Sequence, residues 1–170
     1  TVLYGSVFPI YADKIEVIPD PFWYSFSLRK YLFKVLDQGN QNSCVGAVTV
    51  GALMLARKQY GFEDIELSIA SIYGQINCGM DNGAQLSSAL LAAHRYGACP
   101  VNVIPHEQWQ CNEWPKNWQD IAKCYRILEA YDCTSFQEIV SAILDGFPVC
   151  LGVNLSRNDV LDVGKDGFLP

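Results

Sequence analysis

The run from Ser43 to Ala56, Ser-Cys-Val-Gly-Ala-Val-Thr-Val-Gly-Ala-Leu-Met-Leu-Ala, constrains this chain more than any other stretch. It contains no proline and carries no charge before Arg57. Its apolar side chains (Val45, Val48, Val50, Leu53, Leu55) fall on nearly every side of an α-helix. A helix of that kind has no face to offer water, so the rest of the chain must be built around it. Residues 43–60 are therefore expected as a buried central helix, capped by Ser43 or Asn42 and stopped at Gly61. Gly46 and Gly51 each weaken such a helix by about 1 kcal/mol. Their use is close approach by neighbouring backbone.

The 170 residues are half hydrophobic and only 18% charged, which suffices for one core or for two small lobes sharing a cleft. A short helix is expected from Ile69 to Ile76, ahead of the turn-rich Cys78-Gly79-Met80-Asp81-Asn82-Gly83. Leu86, Leu90, Ala93 and Tyr96 recur at helical spacing over 84–96, and Gly97 ends that helix. Residues 98–120 carry Pro100, Pro105, Pro115 and three of the four tryptophans, and read as irregular loop with anchored aromatics. A strand is expected at 124–132. A helix follows at 135–145, with Ser135 and Glu138 as a capping box and Gly146 as its stop. Val149 to Leu155 reads as a buried strand, and 165–170 as a turn. Residues 1–34, with Pro9, Pro19, Pro21 and Phe22-Trp23-Tyr24, form an extended aromatic arm that packs on this domain or on a protein partner. Helices come first and strands last. The expected fold class is α+β over 35–170, a helical lobe around the central helix plus a partial β lobe.

The net charge of −6, with no basic run, argues against a nucleic-acid partner. The longest apolar stretch, 45–56, is too short for a bilayer, so no membrane association is expected. The chain opens at Thr1 without an initiator Met or a recognisable leader, and its N-terminus reads as trimmed or processed. Its seven cysteines are expected to be mostly reduced and buried, behaving as small hydrophobes. No C-x-x-C pair occurs, and His106 with Cys111 and Cys124 matches no standard zinc spacing, so neither metal nor cofactor is expected.

The chemistry points to Cys44. Gln38 lies six positions ahead of it, with Gly39-Asn40-Gln41-Asn42-Ser43 between. A thiol at a helix N-terminus is favoured as thiolate by the dipole and the free N–H groups. Its own N–H and the Gln38 carboxamide then form an oxyanion hole, each donor being worth about 3–4 kcal/mol of barrier. Thiol chemistry of this kind pairs with an imidazolium that later protonates the leaving amine. His94, late in the third helix, and His106, in a loop, read as ordinary residues rather than as that base. Asp37 and Asp81 read as turn residues.

Asp37-Gln38-Gly39 followed by Ser43-Cys44 resembles the active-site motif of papain-like cysteine peptidases, most closely their bacterial and viral branch. Leu67-Ser68 before a helix, the glycine loop Asp81-Asn82-Gly83, Tyr96-Gly97-Ala98-Cys99-Pro100, and Asp145-Gly146-Phe147-Pro148-Val149 resemble further family elements in the family's order. The resemblance covers roughly 27–170. It implies Cys44 as nucleophile, Gln38 as oxyanion-hole amide, and Asn82 and Gly83 as the loop that hydrogen-bonds an extended peptide or protein substrate. It places the family's His and Asn roughly 130–150 residues after the nucleophile, beyond Pro170. Many secreted relatives carry a disulfide between the position three before the nucleophile and one near the glycine loop. Here that position is Gln41, so Cys78 lacks the partner, which favours a cytoplasmic setting or an intracellularly assembled particle. The competing reading is a non-catalytic papain-fold module within a larger, for example viral, assembly.

Overall fold

The computed structural model describes residues 15–153. The expected turn at 165–170, the last two residues of the expected strand 149–155, and residues 1–14 of the arm lie outside the described residues. The helices are α1 (Cys44–Gln59), α2 (Ile69–Tyr73), α3 (Leu86–Arg95), α4 (Trp118–Ala122) and α5 (Phe136–Leu144). Short 3-10 turns occupy Asp20–Phe22, Arg29–Tyr31, Cys111–Glu113 and Lys123–Tyr125.

α1 is central, as its all-round apolar pattern requires. One side packs Val50, Leu53 and Met54 against Ile69 and Ile72 of α2 and Ala89 and Ala93 of α3. The other side, through Thr49, Ala52 and Ala56, walls a largely apolar cavity of about 830 Å³ shared with Leu90, Ile127 and Phe147. The close approach expected at Gly46 is present: a Cβ there would lie 2.8 Å from the Ile69 carbonyl oxygen and 3.3 Å from Tyr73 Cβ. The same expectation fails at Gly51, whose nearest neighbour would be Leu36 Cδ1 at 4.0 Å.

α2 starts where Ser68 Oγ accepts the Ser71 N–H at 3.2 Å. α3 ends at Gly97, whose φ of +87° closes the helix in the left-handed region. α5 carries the expected capping box, Ser135 with Glu138. The tryptophans of the loop at 98–120 are anchored. Trp114 packs edge-on against Trp118 at 5.0 Å, and its indole N–H donates to the Gln108 carbonyl at 2.6 Å. Around Trp114 a second core forms from Ala70, Cys99, Ile104 and Ala122. α4 begins inside the segment that reads as loop.

Among the described residues no strand ladder forms, and the only pairing of that type is an isolated antiparallel bridge between Leu67 and Pro100. The segment expected as a strand at 124–132 instead begins in a 3-10 turn and then runs alongside the end of α3. Its polar backbone groups are taken up there. Tyr125 O accepts from Ala98 N at 3.0 Å, and Ile127 N donates to Ala93 O at 3.3 Å. A strand exists through its neighbour, and these residues find a helix end. Residues 149–153 likewise form no ladder with any described segment.

The described part of the arm folds onto α5. Ile18 N–H donates to Ser141 Oγ at 2.8 Å, Tyr24 Oη donates to the Leu144 carbonyl at 3.3 Å, and Trp23 packs edge-on against Phe136. Phe22 and Tyr24 remain exposed. All seven cysteines are free thiols, but the expectation that most are buried is wrong. Cys99 is buried and Cys133 and Cys150 are partly buried, while Cys44, Cys78, Cys111 and Cys124 lie exposed at turns and helix ends.

The two helix glycines make a paired prediction. Gly46→Ala should destabilise the protein by about 1–3 kcal/mol, because its methyl group overpacks the α1–α2 crossing. Gly51→Ala, which gains helix propensity without a clash, should be neutral or stabilising by up to about 1 kcal/mol. Urea unfolding of the two variants measures the difference, and equal effects would refute the packing account.

Candidate active site

Cys44 is the first residue of α1, and its thiol is exposed. The helix start beside it lacks an ordinary cap. Ser43 occupies the N-cap position, yet its hydroxyl accepts nothing from the first turn and is buried without a partner. Asn42, the other expected cap, is turned away, its side-chain amide donating to the Asp81 carbonyl at 2.7 Å. The backbone N–H groups of Cys44, Val45 and Gly46 are thus without partners among the described residues. Donors at a helix N-terminus next to an exposed sulfur are the arrangement that binds a developing negative charge.

The loop ahead of Cys44 is held in three places. Asp37 Oδ1 accepts the Gly39 N–H at 2.8 Å, which confirms Asp37 as a turn residue. The Gln38 side-chain amide donates to the Gln41 carbonyl at 2.7 Å. That bond uses one of the two amide hydrogens and leaves the other. Gln41 in turn donates to the Glu107 carbonyl at 3.2 Å, tying the loop to the tryptophan-bearing segment.

The third tie was not legible as such. Asp81, which reads as a turn residue, has a carboxylate oxygen that accepts both the Asn42 N–H at 2.9 Å and the Tyr73 hydroxyl at 2.8 Å. The Tyr73 oxygen accepts the Gly83 N–H at 3.1 Å. The ring of Tyr73 is fully buried. Burial first, and then the hydrogen bond to Asp81, hold its phenol above the ordinary value of 10.0, opposed by the Gly83 N–H and reinforced by the charges of Asp81 and Cys44. Asn42, Tyr73, Asp81 and Gly83 therefore form one hydrogen-bonded group, two residues ahead of Cys44. A signal for Asp81 did exist in the sequence, an acidic residue two before a loop glycine, but its partners lie 8 and 39 positions away.

Gly83, at φ +78°, has its N–H committed to Tyr73. Asn82 is exposed, with only a long contact of 3.9 Å to the Met80 sulfur. The two histidines are engaged elsewhere. His94 Nδ1 lies 3.1 Å from the Ile127 carbonyl. His106 Nδ1 accepts the Ile69 N–H at 3.1 Å, so the ring proton is on Nε2, 2.9 Å from Glu66 Oε1. Neither imidazole is hydrogen-bonded to Cys44. Burial pushes the Cys99 and Cys150 thiols up to about 11, which keeps both protonated near neutral pH. Among the described residues no group of three His, Cys, Asp or Glu could hold a metal ion, and no helix is long and apolar enough to cross a membrane.

This arrangement of helices recurs in solved structures. Xylellain, a cysteine protease from Xylella fastidiosa, superposes with a TM-score of 0.62 at 18% identity, over 78% of this chain and 62% of that one. Digestive procathepsin L 3 of the Tenebrio molitor larval midgut gives 0.63 at 19% identity, over 81% of this chain and 46% of that one. No family model and no curated protein matches the sequence. The fold is papain-like, and the helical lobe is the part of it that the described residues build. The chain spans less than two thirds of the length of either protein.

The Glu66 cluster predicts a pH dependence. Lys34 first and His106 second hold the Glu66 carboxyl below its ordinary 4.5. A lowered carboxylate pKa stabilises the fold above the unfolded value, and that stability is lost as pH falls through the folded one. Glu66→Gln should therefore lose less stability than the wild type as pH drops from about 6 to about 3. Urea midpoints across that range measure this, and parallel curves for the two proteins would contradict it.

Proposed function

We propose that the protein is a cysteine peptidase of the papain-like type that cleaves peptide bonds through a thioester on Cys44. The carrying observation is the exposed Cys44 thiol at an uncapped helix start, with the Gln38 amide on the loop that leads into it. The papain-like scaffold adds to it. In this reading the Cys44 thiolate attacks the carbonyl carbon. The oxyanion takes hydrogen bonds from the Cys44 N–H and the remaining Gln38 amide hydrogen. The C–N bond breaks as the amine accepts a proton from a general acid, and water then hydrolyses the thioester. His94 and His106 are hydrogen-bonded elsewhere, so neither is assigned as that acid. With the Gly83 N–H donated to Tyr73, its carbonyl and Asn82 are left for an extended peptide backbone.

The finer points rest on local support. The Asp37-Gln38-Gly39…Ser43-Cys44-Val45-Gly46 pattern favours the bacterial and viral branch. A β lobe along the apolar wall of α1 would fill the cavity there. Four exposed free thiols suit a reducing setting. The exposed Phe22 and Tyr24 of the arm are the proposed contact for a protein partner.

The test is active-site labelling with a peptidyl thiol-directed electrophile, mapped by mass spectrometry because three other thiols are exposed. Label should fall on Cys44 and vanish in Cys44→Ala. Gln38→Ala should slow peptide hydrolysis by about 10²–10³-fold. No peptide-directed label at Cys44 would leave the non-catalytic papain-fold module as the reading.

A further inference from the structure

We propose that Asp81 is a positioning residue for Cys44: its carboxylate, with the Tyr73 hydroxyl, clamps the loop that delivers the nucleophile to the glycine loop. The clamp is one continuous path. The Gly83 N–H donates to Tyr73 Oη at 3.1 Å, Tyr73 Oη donates to Asp81 Oδ1 at 2.8 Å, and the same oxygen accepts the Asn42 N–H at 2.9 Å. A return bond runs from the Asn42 side-chain amide to the Asp81 carbonyl at 2.7 Å. Asn42 stands two residues before Cys44, and Gly83 is the turn facing it, with a Cβ there 3.9 Å from the Asn42 carbonyl.

Three features give the path consequence. First, the hub is an ionised acceptor taking two donors, which makes each bond stronger than a neutral one. Second, the Tyr73 ring is fully buried between α1 and the loop, so the clamp hangs on a rigid post. Third, nothing covalent joins the two loops. Cys78 is a free exposed thiol, and Gln41 is bonded to Glu107 instead. The same geometry explains why Asn42 does not cap α1. Its side chain is held by Asp81, and the helix N–H groups beside Cys44 stay open. Releasing Asp81 would free Asn42 to cap the helix over those donors.

The part of this proposal that concerns peptides rests on the peptidase reading, and the clamp itself is measurable without it. Asp81→Ala, Asp81→Asn and Tyr73→Phe are made in the full chain. Amide hydrogen exchange is read at Asn42 and Gly83, with Leu53 and Ala93 as core references. Exchange at Asn42 should quicken about tenfold or more in Asp81→Ala, and less in Asp81→Asn, which keeps an acceptor oxygen. Gly83 should quicken in Tyr73→Phe, and the Tyr73 phenol should titrate lower in Asp81→Ala than in the wild type. Unchanged exchange at Asn42 and an unmoved tyrosine titration overturn the clamp. In the second arm, Cys44 labelling by a peptidyl electrophile should fall about tenfold in Asp81→Ala while labelling by iodoacetamide changes little. Equal loss of both rates together with faster core exchange shows general unfolding and overturns the positioning role. A wild type with no preference for the peptidyl reagent sinks the peptidase reading, and the exchange arm then decides the clamp alone.

Discussion

Everything else in the described chain hangs on the contact between α1 and α2. A helix without a polar face has to be packed against its neighbours, and at Gly46 the approach of α2 is close, with the Ile69 carbonyl oxygen and Tyr73 Cβ in contact range. Bringing the two helices this close places Tyr73 under the start of α1. From there its hydroxyl reaches Asp81, and Asp81 reaches the residue two before Cys44. The packing constraint and the site are thus the same piece of structure viewed from the core and from the surface. The thiol is exposed only because the first turn of α1 emerges where that packing ends.

Much of this was legible. Helix ends marked by Gly97, Gly146 and the Ser135–Glu138 box are local chemistry, and local chemistry is what a sequence states most clearly. The central place of α1 followed from its composition, although only one side of it, through Val50, Leu53 and Met54, is buried among the described residues. What failed needed partners distant in sequence. Residues 124–132 have strand-like composition, but their hydrogen bonds go to the end of α3, a choice no window of a few residues can show. Asp81 looked like a turn former because its two partners, Asn42 and Tyr73, converge on it only after folding. Cysteine burial failed for a similar reason. The residue type favours the interior on average, while individual positions at turns are fixed by the loops around them.

The apolar wall on the second side of α1 connects the two levels. The cavity of about 830 Å³ beside α1 opens to solvent and is lined by exposed apolar side chains such as Phe62, Leu128 and Leu151. Its walls come from α1, α3, the 127–133 segment and 147–152, so it faces away from α2 and the Trp114 cluster. The helix therefore has one side satisfied by the described lobe and one side apolar and open. A two-lobed reading of the fold draws on that asymmetry, and the superpositions with xylellain and procathepsin L 3 extend over only part of those proteins.

The strongest argument that Cys44 is more than a surface thiol is what its surroundings forgo. An Asn or Ser that caps a helix contributes about 1 kcal/mol, and both residues are present yet neither caps. The Ser43 hydroxyl is buried without a partner, a further cost of about 1–3 kcal/mol. At α2 and α5 the same chain caps its helices through Ser68 and Ser135. α3 and α4, like α1, start without a side-chain cap, at Gln85 and Asn117. What sets α1 apart among the described helices is an N-cap hydroxyl buried without a partner, and open N–H groups beside an exposed sulfur that an oxyanion would need. Sequences break local rules of stability mainly where function asks for it. Among the described helix starts, the one that combines a buried, unpartnered N-cap hydroxyl with open donors and a nucleophile has that signature.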